Sequence, residues 1–137
     1  MKVALIYSTK TGHTKKIAEA MAKELGIEAQ NIADKPVLNN VDLLLVGSGV
    51  YGGKISPELL AYLEGVDSKK VKKAIIFITS LSKKNQSAYL RDFLVRKGIE
   101  VNKDEFVCKG KFLFFSTKHP NEEDVKSAVE FVKKIAK

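Results

Sequence analysis

The chain is predicted to fold as an α/β domain, a parallel sheet with helices on both faces, and three observations carry that expectation. Strand patterns and helix patterns alternate from end to end, in five strand-then-helix units. The runs at 3–7, 41–46 and 74–79 are apolar apart from Asp42 and Thr79, as strands covered on both faces must be. The unusual loops, 8–13, 47–55 and 80–85, all follow strands. In open parallel sheets ligands collect outside the carboxyl ends of the strands, where strand order reverses, so these loops converge on one rim.

The run 3–7 reads as a central strand. Residues 14–25 follow as a helix, with Ile17, Ala18, Met21, Ala22 and Leu25 at helical spacing and Gly26 stopping it. Residues 27–33 form a weaker edge strand, and Pro36 with Asn39 and Asn40 marks a loop. The strand at 41–46 leads into a long glycine-rich loop, 47–55. Ser56 as N-cap and Pro57 as first helical residue open a short helix with Leu59, Leu60 and Leu63 on its apolar face. The strand at 74–79 and the polar stretch 80–85 precede a helix over 86–97, with Tyr89, Leu90, Phe93 and Leu94 inward and Gly98 at its end. Residues 106–115 have strand character interrupted at Gly110, a bent or split edge strand. The last helix starts within 120–124, with acids in its first turn where the dipole favours them. It buries Val125, Ala128, Val129, Val132 and Ile135.

A length of 137 residues and 45% hydrophobic content fit one globular domain, 1–137, with a core of its own. No apolar stretch approaches the roughly 20 residues that span a bilayer. Met1-Lys2 leads straight into a strand without a signal-peptide layout. The single cysteine, Cys108, has no intrachain disulfide partner and is read as a core or edge-strand thiol. A cytoplasmic location is expected. The net charge is +8, from 24 Lys and Arg against 16 Asp and Glu. The lysines fall in doublets at helix ends and turns, Lys15-Lys16, Lys69-Lys70, Lys72-Lys73, Lys83-Lys84 and Lys133-Lys134, rather than in one stripe interleaved with aromatics. They read as solvated faces, and nucleic acid is not an expected partner.

The chemistry concentrates at Ser8, Thr9, Lys10, Thr11, Gly12, His13 and Thr14, between the first strand and the first helix. Backbone N–H groups at a helix N-terminus point outward unpaired, and the helix dipole adds partial positive charge there. One Thr would cap a helix; four hydroxyls and a glycine in seven residues exceed that need and suit a phosphate monoester. Other phosphate chemistries lack their residues. Gly47-Ser48-Gly49-Val50-Tyr51-Gly52 matches the dinucleotide pattern only formally, because Ser56-Pro57 places the helix start later. Asp67 lies in a turn rather than at a strand end. There is no GKS or GKT triplet, no acid at the ends of strands one and three for a phosphoacceptor, and no arginine spaced after Cys108 for a phosphatase loop. His13 helps bind the phosphate or only flanks it, His119 beside Pro120 has no evident acid or base partner, and neither histidine is assigned a catalytic role.

The loop Thr9-Lys10-Thr11-Gly12-His13-Thr14 resembles the phosphate loop of the flavodoxin family, and the strand–helix order matches across essentially the whole chain. The resemblance implies a flavodoxin-like three-layer sandwich with a five-stranded parallel sheet in the order 2-1-3-4-5. It implies non-covalently bound FMN, with its phosphate on Ser8 to Thr14. The ring would lie between Gly49, Val50, Tyr51, Gly52 and Gly53 on one side and Ser80, Leu81, Ser82 and Asn85 on the other. Tyr51 is the residue to stack on the ring. Gly52 or Gly53 would turn its peptide over to offer a carbonyl to the ring, which glycine does without a Cβ clash. The chain departs from the family in having no tryptophan and no aromatic within 80–85, so the ring sandwich is one-sided, with Leu81 or lysine stems opposite Tyr51. It also departs in charge: Lys10, Lys54, Lys83, Lys84 and Lys118 would rim the pocket.

The function implied is a monomeric electron carrier whose redox partners present an acidic face. The same fold also accommodates a flavin enzyme of the quinone-reductase or protoporphyrinogen-oxidase type, or an anion-binding module without cofactor. The compact chain, with no long insertion to build a substrate pocket, favours the carrier.

Overall fold

The structure, a computed structural model, describes residues 2–9, 12–51, 54–80, 87–109 and 122–135. Strand β1 (Val3–Ser8) is followed by α1 (His13–Leu25), then β2 (Ala29–Asn31), β3 (Val41–Tyr51), β4 (Lys54–Ile55), α2 (Pro57–Glu64), β5 (Val71–Ser80), α3 (Ser87–Arg96), β6 (Glu100–Val101), β7 (Phe106–Lys109) and α4 (Glu122–Ile135). The sheet order is β2-β1-β3-β5-β6. All its pairings are parallel except the short return strand β4 on β3. Leaving out β4, this is the expected order 2-1-3-4-5.

The fifth position is divided between two short strands. Because β3 occupies one edge of β5 from Val41↔Val71 to Gly49↔Thr79, both β6 and β7 lie on the other edge. β6 stands beside Lys73 and Ala74, and β7 beside Phe77 to Ser80. Arg91 of α3 ties their connection down, donating to the Asn102 carbonyl (2.7 Å) and to Glu105 Oε1 (2.9 Å). The first part of the expected edge strand, Phe106–Lys109, is present as β7, and its remainder lies outside the described residues, whereas β6, two residues without apolar alternation, has no sequence signature. Residues 110–121 lie outside the described set.

Side chains of the central strands alternate between two cores, as a period of two requires. Ile6, Leu44, Val46, Ile76 and Ile78 face Leu59 and Leu63 of α2 and Leu90 and Leu94 of α3. Leu5, Tyr7, Leu43, Leu45, Ile75 and Phe77 face Ile17 and Met21 of α1 and Ala128 and Val132 of α4. Asp42 sits at the amino edge of the sheet, accepting from the Lys2 N–H (2.7 Å) and pairing with Lys72 (3.3 Å). The Lys2 N–H first and Lys72 second hold its carboxyl below the usual carboxylate range.

Local signals place the helix ends. Gly26 takes φ 71°, and the Ile27 N–H returns to the Ala22 carbonyl (2.9 Å), closing α1. Ser56 caps α2, accepting from the Leu59 N–H (3.3 Å), with Pro57 at the first helical position. Asp67 accepts from the Lys69 N–H in a short 3₁₀ turn, Ser68–Lys70, as a turn residue does.

Three expectations are corrected. The glycine-rich stretch is not a long loop: β3 continues through Gly47, Ser48, Gly49, Val50 and Tyr51 and turns back as β4, with Val50 opposite Ile55 and Tyr51 opposite Lys54. The ladder holds because Ser48 pairs with Ser8 on one side and Ile78 on the other. Tyr89 points outward, 58% exposed, because the buried stripe of α3 runs through Ser87, Leu90 and Leu94. Four α-helices rather than five are present among the described residues, since a single 3₁₀ turn, Ile32–Asp34, leads from β2 toward β3. No described helix is long and apolar enough to cross a membrane.

Candidate functional site

The register of the central strands builds the rim. Ser8, Ser48 and Ile78 lie abreast, and Gly49 stands opposite Thr79, so the exits of β1, β3 and β5 reach one edge together. From β1 the chain passes through Thr9 to Gly12, which takes φ 89° and ψ −6° and starts α1. Thr9 Oγ1 accepts from the Gly12 N–H (2.9 Å), and the Gly12 carbonyl accepts the first helical bond from the Lys16 N–H (3.1 Å).

The start of α1 is built against the usual preference. Its cap is a glycine, which has no side chain to satisfy the first N–H groups. Its first turn holds no acid but does hold Lys15 and Lys16, both exposed. Cations at a helix N-terminus oppose the dipole by about 0.3–1 kcal/mol each. An anion placed there accepts from N–H groups that a glycine cap leaves without a side-chain acceptor and is attracted by the positive helix end, so the donor set fits a phosphate.

The hydroxyls of the rim are engaged with one another. Ser8 Oγ lies 2.7 Å from Ser56 Oγ, and Thr14 Oγ1 lies 2.7 Å from Thr79 Oγ1. Ser56 Oγ donates to Glu58 Oε2 (3.0 Å) and accepts from the Leu59 N–H (3.3 Å). Ser48 Oγ donates to the Gly49 carbonyl (2.6 Å) and accepts from the Ser56 N–H (3.3 Å). Ser8, Thr14, Ser48 and Ser56 are all buried. One hydroxyl pair works on the α2 face of the sheet and the other on the α1 face, and each joins the first loop to a different neighbour.

Of the residues assigned from sequence, Ser8, Thr9, Gly12, Thr14 and Gly49 are brought to this rim. His13 opens α1, Val50 and Tyr51 extend β3, and Ser80 ends β5, each placed by its backbone. Lys10, Thr11, Gly52, Gly53, Leu81, Ser82 and Asn85 lie outside the described residues, as do Lys83, Lys84, Lys118 and His119. Lys54, in β4, is exposed. Cys108 stands in β7 opposite Thr79. Ser48, Ser56 and Thr79 were not assigned to the site by sequence. Ser56 carried a signal, but one that a helix cap fully explains.

A cleft of about 560 Å³ flanks the first loop on its β2 side, lined by Ser8, Thr9, Asn31, Lys35, Glu58 and Tyr62 among others. Tyr62 donates its phenol proton to the Pro36 carbonyl at one wall, and burial pushes its pKa up. Tyr7, just before Ser8, is also raised, by burial first and then by the charge of Glu19.

The model of the flavodoxin domain family matches residues 4–135. A relative from Methanocaldococcus jannaschii, the uncharacterized protein MJ0298, is 37% identical over 151 residues, covering 100% of this chain and 99% of that one. Among solved structures, a flavodoxin from the domain Archaea superposes with a TM-score of 0.78 at 16% identity, covering 99% of this chain and 96% of that one. An FMN-complexed flavoprotein from Lactobacillus acidophilus gives 0.58 at 20% identity, over 79% of this chain and 93% of that one. The rubredoxin:oxygen oxidoreductase of Desulfovibrio gigas gives 0.73 at 16% identity over 98% of this chain, which spans only 35% of that longer protein. With its sheet order and its family match over nearly the full length, the chain belongs to the flavodoxin family.

Proposed function

We propose that this chain is a single-domain, cytoplasmic electron carrier that binds FMN without a covalent link. The observation that carries the reading is the start of α1, a left-handed glycine cap followed by two lysines and no acid. That end of the helix is suited to the phosphate of a mononucleotide. Thr9 and Gly12 shape the loop around it, and Lys10, Thr11, His13 and Thr14 complete the phosphate side. The β3–β4 hairpin, with Gly49, Val50, Tyr51, Gly52 and Gly53, forms one wall for the ring. Ser80, Leu81, Ser82 and Asn85 form the other. FMN, when bound, supplies one- and two-electron redox chemistry. The protein binds it, orients it and leaves an edge for partners. FMN in a flavoprotein of the same fold supports the choice of cofactor.

The net charge of +8 favours redox partners with an acidic docking face, met by a monomer. Lys54, exposed in the hairpin, is the described member of this basic rim. The test is to add FMN to the purified protein and record its absorption. A stoichiometric bound-flavin spectrum, followed by electron delivery to a one-electron acceptor protein, is expected. Failure to bind flavin, or sustained quinone turnover with a nicotinamide donor, overturns the carrier reading.

A further inference from the structure

Ser8 belongs by sequence to the phosphate loop, yet its proton has another destination. Ser56 has one hydroxyl proton, and it goes to Glu58 Oε2 at 3.0 Å. The Leu59 N–H already points at Ser56 Oγ from 3.3 Å. In the 2.7 Å contact with Ser8, therefore, Ser56 accepts and Ser8 donates. A phosphate oxygen requires a donor, and the Ser8 hydroxyl has none left. Ser8 is also only 6% exposed and Ser56 is fully buried.

The chain of protons runs Ser8 to Ser56 to Glu58 and ends on a carboxylate, where such bonds are strongest. Ser56 directly follows β4, and its N–H reaches Ser48 within β3 at 3.3 Å. Both strands of the hairpin are thus pinned to each other at Ser48 and Ser56. Ser8, the last residue of β1, pins that stem to β1.

We infer that Ser8 is a positioning residue for the ring-side hairpin rather than a ligand of the phosphate, acting through Ser56. This rests on the FMN-binding reading above. It divides the first loop by role: Thr9, Gly12 and the start of α1 serve the phosphate, and Ser8 serves the wall beside the ring.

Riboflavin, which carries the ring but no phosphate, separates the two roles. FMN and riboflavin are titrated into wild type, Ser8→Ala and Thr9→Ala well below their unfolding temperatures, and the visible circular dichroism of bound flavin is recorded. Ser8→Ala is expected to weaken both flavins by the same factor, about fivefold for one lost neutral hydrogen bond. It is also expected to alter the dichroism, because the ring wall has moved. Thr9→Ala is expected to weaken FMN alone and leave the dichroism as in wild type. Loss of FMN affinity in Ser8→Ala with riboflavin unchanged makes Ser8 a phosphate donor and overturns the inference, as does no change with either flavin. Should Ser8→Ala fail to fold, Glu58→Gln at the exposed end of the same proton chain carries the test. An equal loss of about twofold for both flavins is expected there, and unchanged riboflavin binding overturns the inference. A wild-type chain that binds neither flavin overturns the parent reading and this inference together, whereas wild-type binding with the outcomes just named overturns this inference alone.

Discussion

The ring of Phe77 lies against the backbone of Gly47 in the neighbouring strand, so close that a Cβ at Gly47 would stand 2.0 Å from Phe77 Cζ. Phe77 is fully buried between the sheet and the α1–α4 layer. Gly47 is therefore a packing requirement rather than a loop residue. Gly47→Ala is expected to destabilise the fold by about 1–3 kcal/mol through overpacking. Adding Phe77→Leu to it should cost less than the sum of the two single changes. Urea unfolding of the three variants measures both expectations, and strict additivity would show that the two residues do not compete for space.

The pair Thr14 and Thr79 is a second link across the rim. Replacing either by Val leaves the other hydroxyl without this partner, so each single change is expected to cost about 1 kcal/mol. The double change should cost less than the sum. A double-mutant cycle on unfolding free energy, with a coupling indistinguishable from zero, would dismiss the link.

Asp42 couples stability to acid. Its folded carboxyl lies below the ordinary carboxylate value, held there first by the Lys2 N–H and then by Lys72. The stabilisation is fully present above the unfolded carboxylate range and fades as pH falls through the folded value. Asp42→Asn should therefore be less stable than wild type at neutral pH. The gap should close as pH is taken from about 5 downward. Parallel pH-dependences of the two proteins on the acid side would contradict this.

Tyr62 couples stability to alkali. Burial raises its phenol above 10.0 while the phenol donates to the Pro36 carbonyl. The unfolded tyrosine ionises first as pH rises, so the folded state loses stability above about pH 10. Tyr62→Phe should lose the bond to Pro36 at neutral pH and show a shallower decline in alkali. Thermal unfolding across pH 8 to 11, as an order-of-magnitude window around that ionisation, tests the difference in slope.

Lys54 is the exposed basic residue of the hairpin. If Lys54 rims the flavin as proposed, Lys54→Gln should make the second one-electron potential of bound FMN more negative, because a cation beside the ring would favour its anionic reduced form. The shift should shrink as salt rises. Potentiometric titration at low and high salt measures it, and a salt-independent shift would rule out a screened charge effect.

Much of the fold was legible because its signals are local. Gly26 ends α1 and Ser56-Pro57 opens α2 through bonds within a few residues of themselves. The continuous apolar runs foretold strands buried on both faces. Tyr89 was misplaced because a helix stripe is narrow, and one position off Leu90 is enough to face solvent. β6 was missed because two residues carry no period. The stretch from Gly47 to Tyr51 looked like a loop because glycine disfavours strands by itself, and its reason for being in one lies in another strand.

The sequence by itself determined the alternation of strands and helices, the shared edge that the exits of β1, β3 and β5 reach, and a start of α1 that carries lysines and no acid. Each follows from spacing, caps and charge along the chain. Only the tertiary structure decided what the rim hydroxyls do. Ser8 meets Ser56 across 48 positions, and Thr14 meets Thr79 across 65. Those meetings depend on strand register and on where a helix lands. A hydroxyl has one proton to give, so its role is settled by whichever acceptor the fold places within reach.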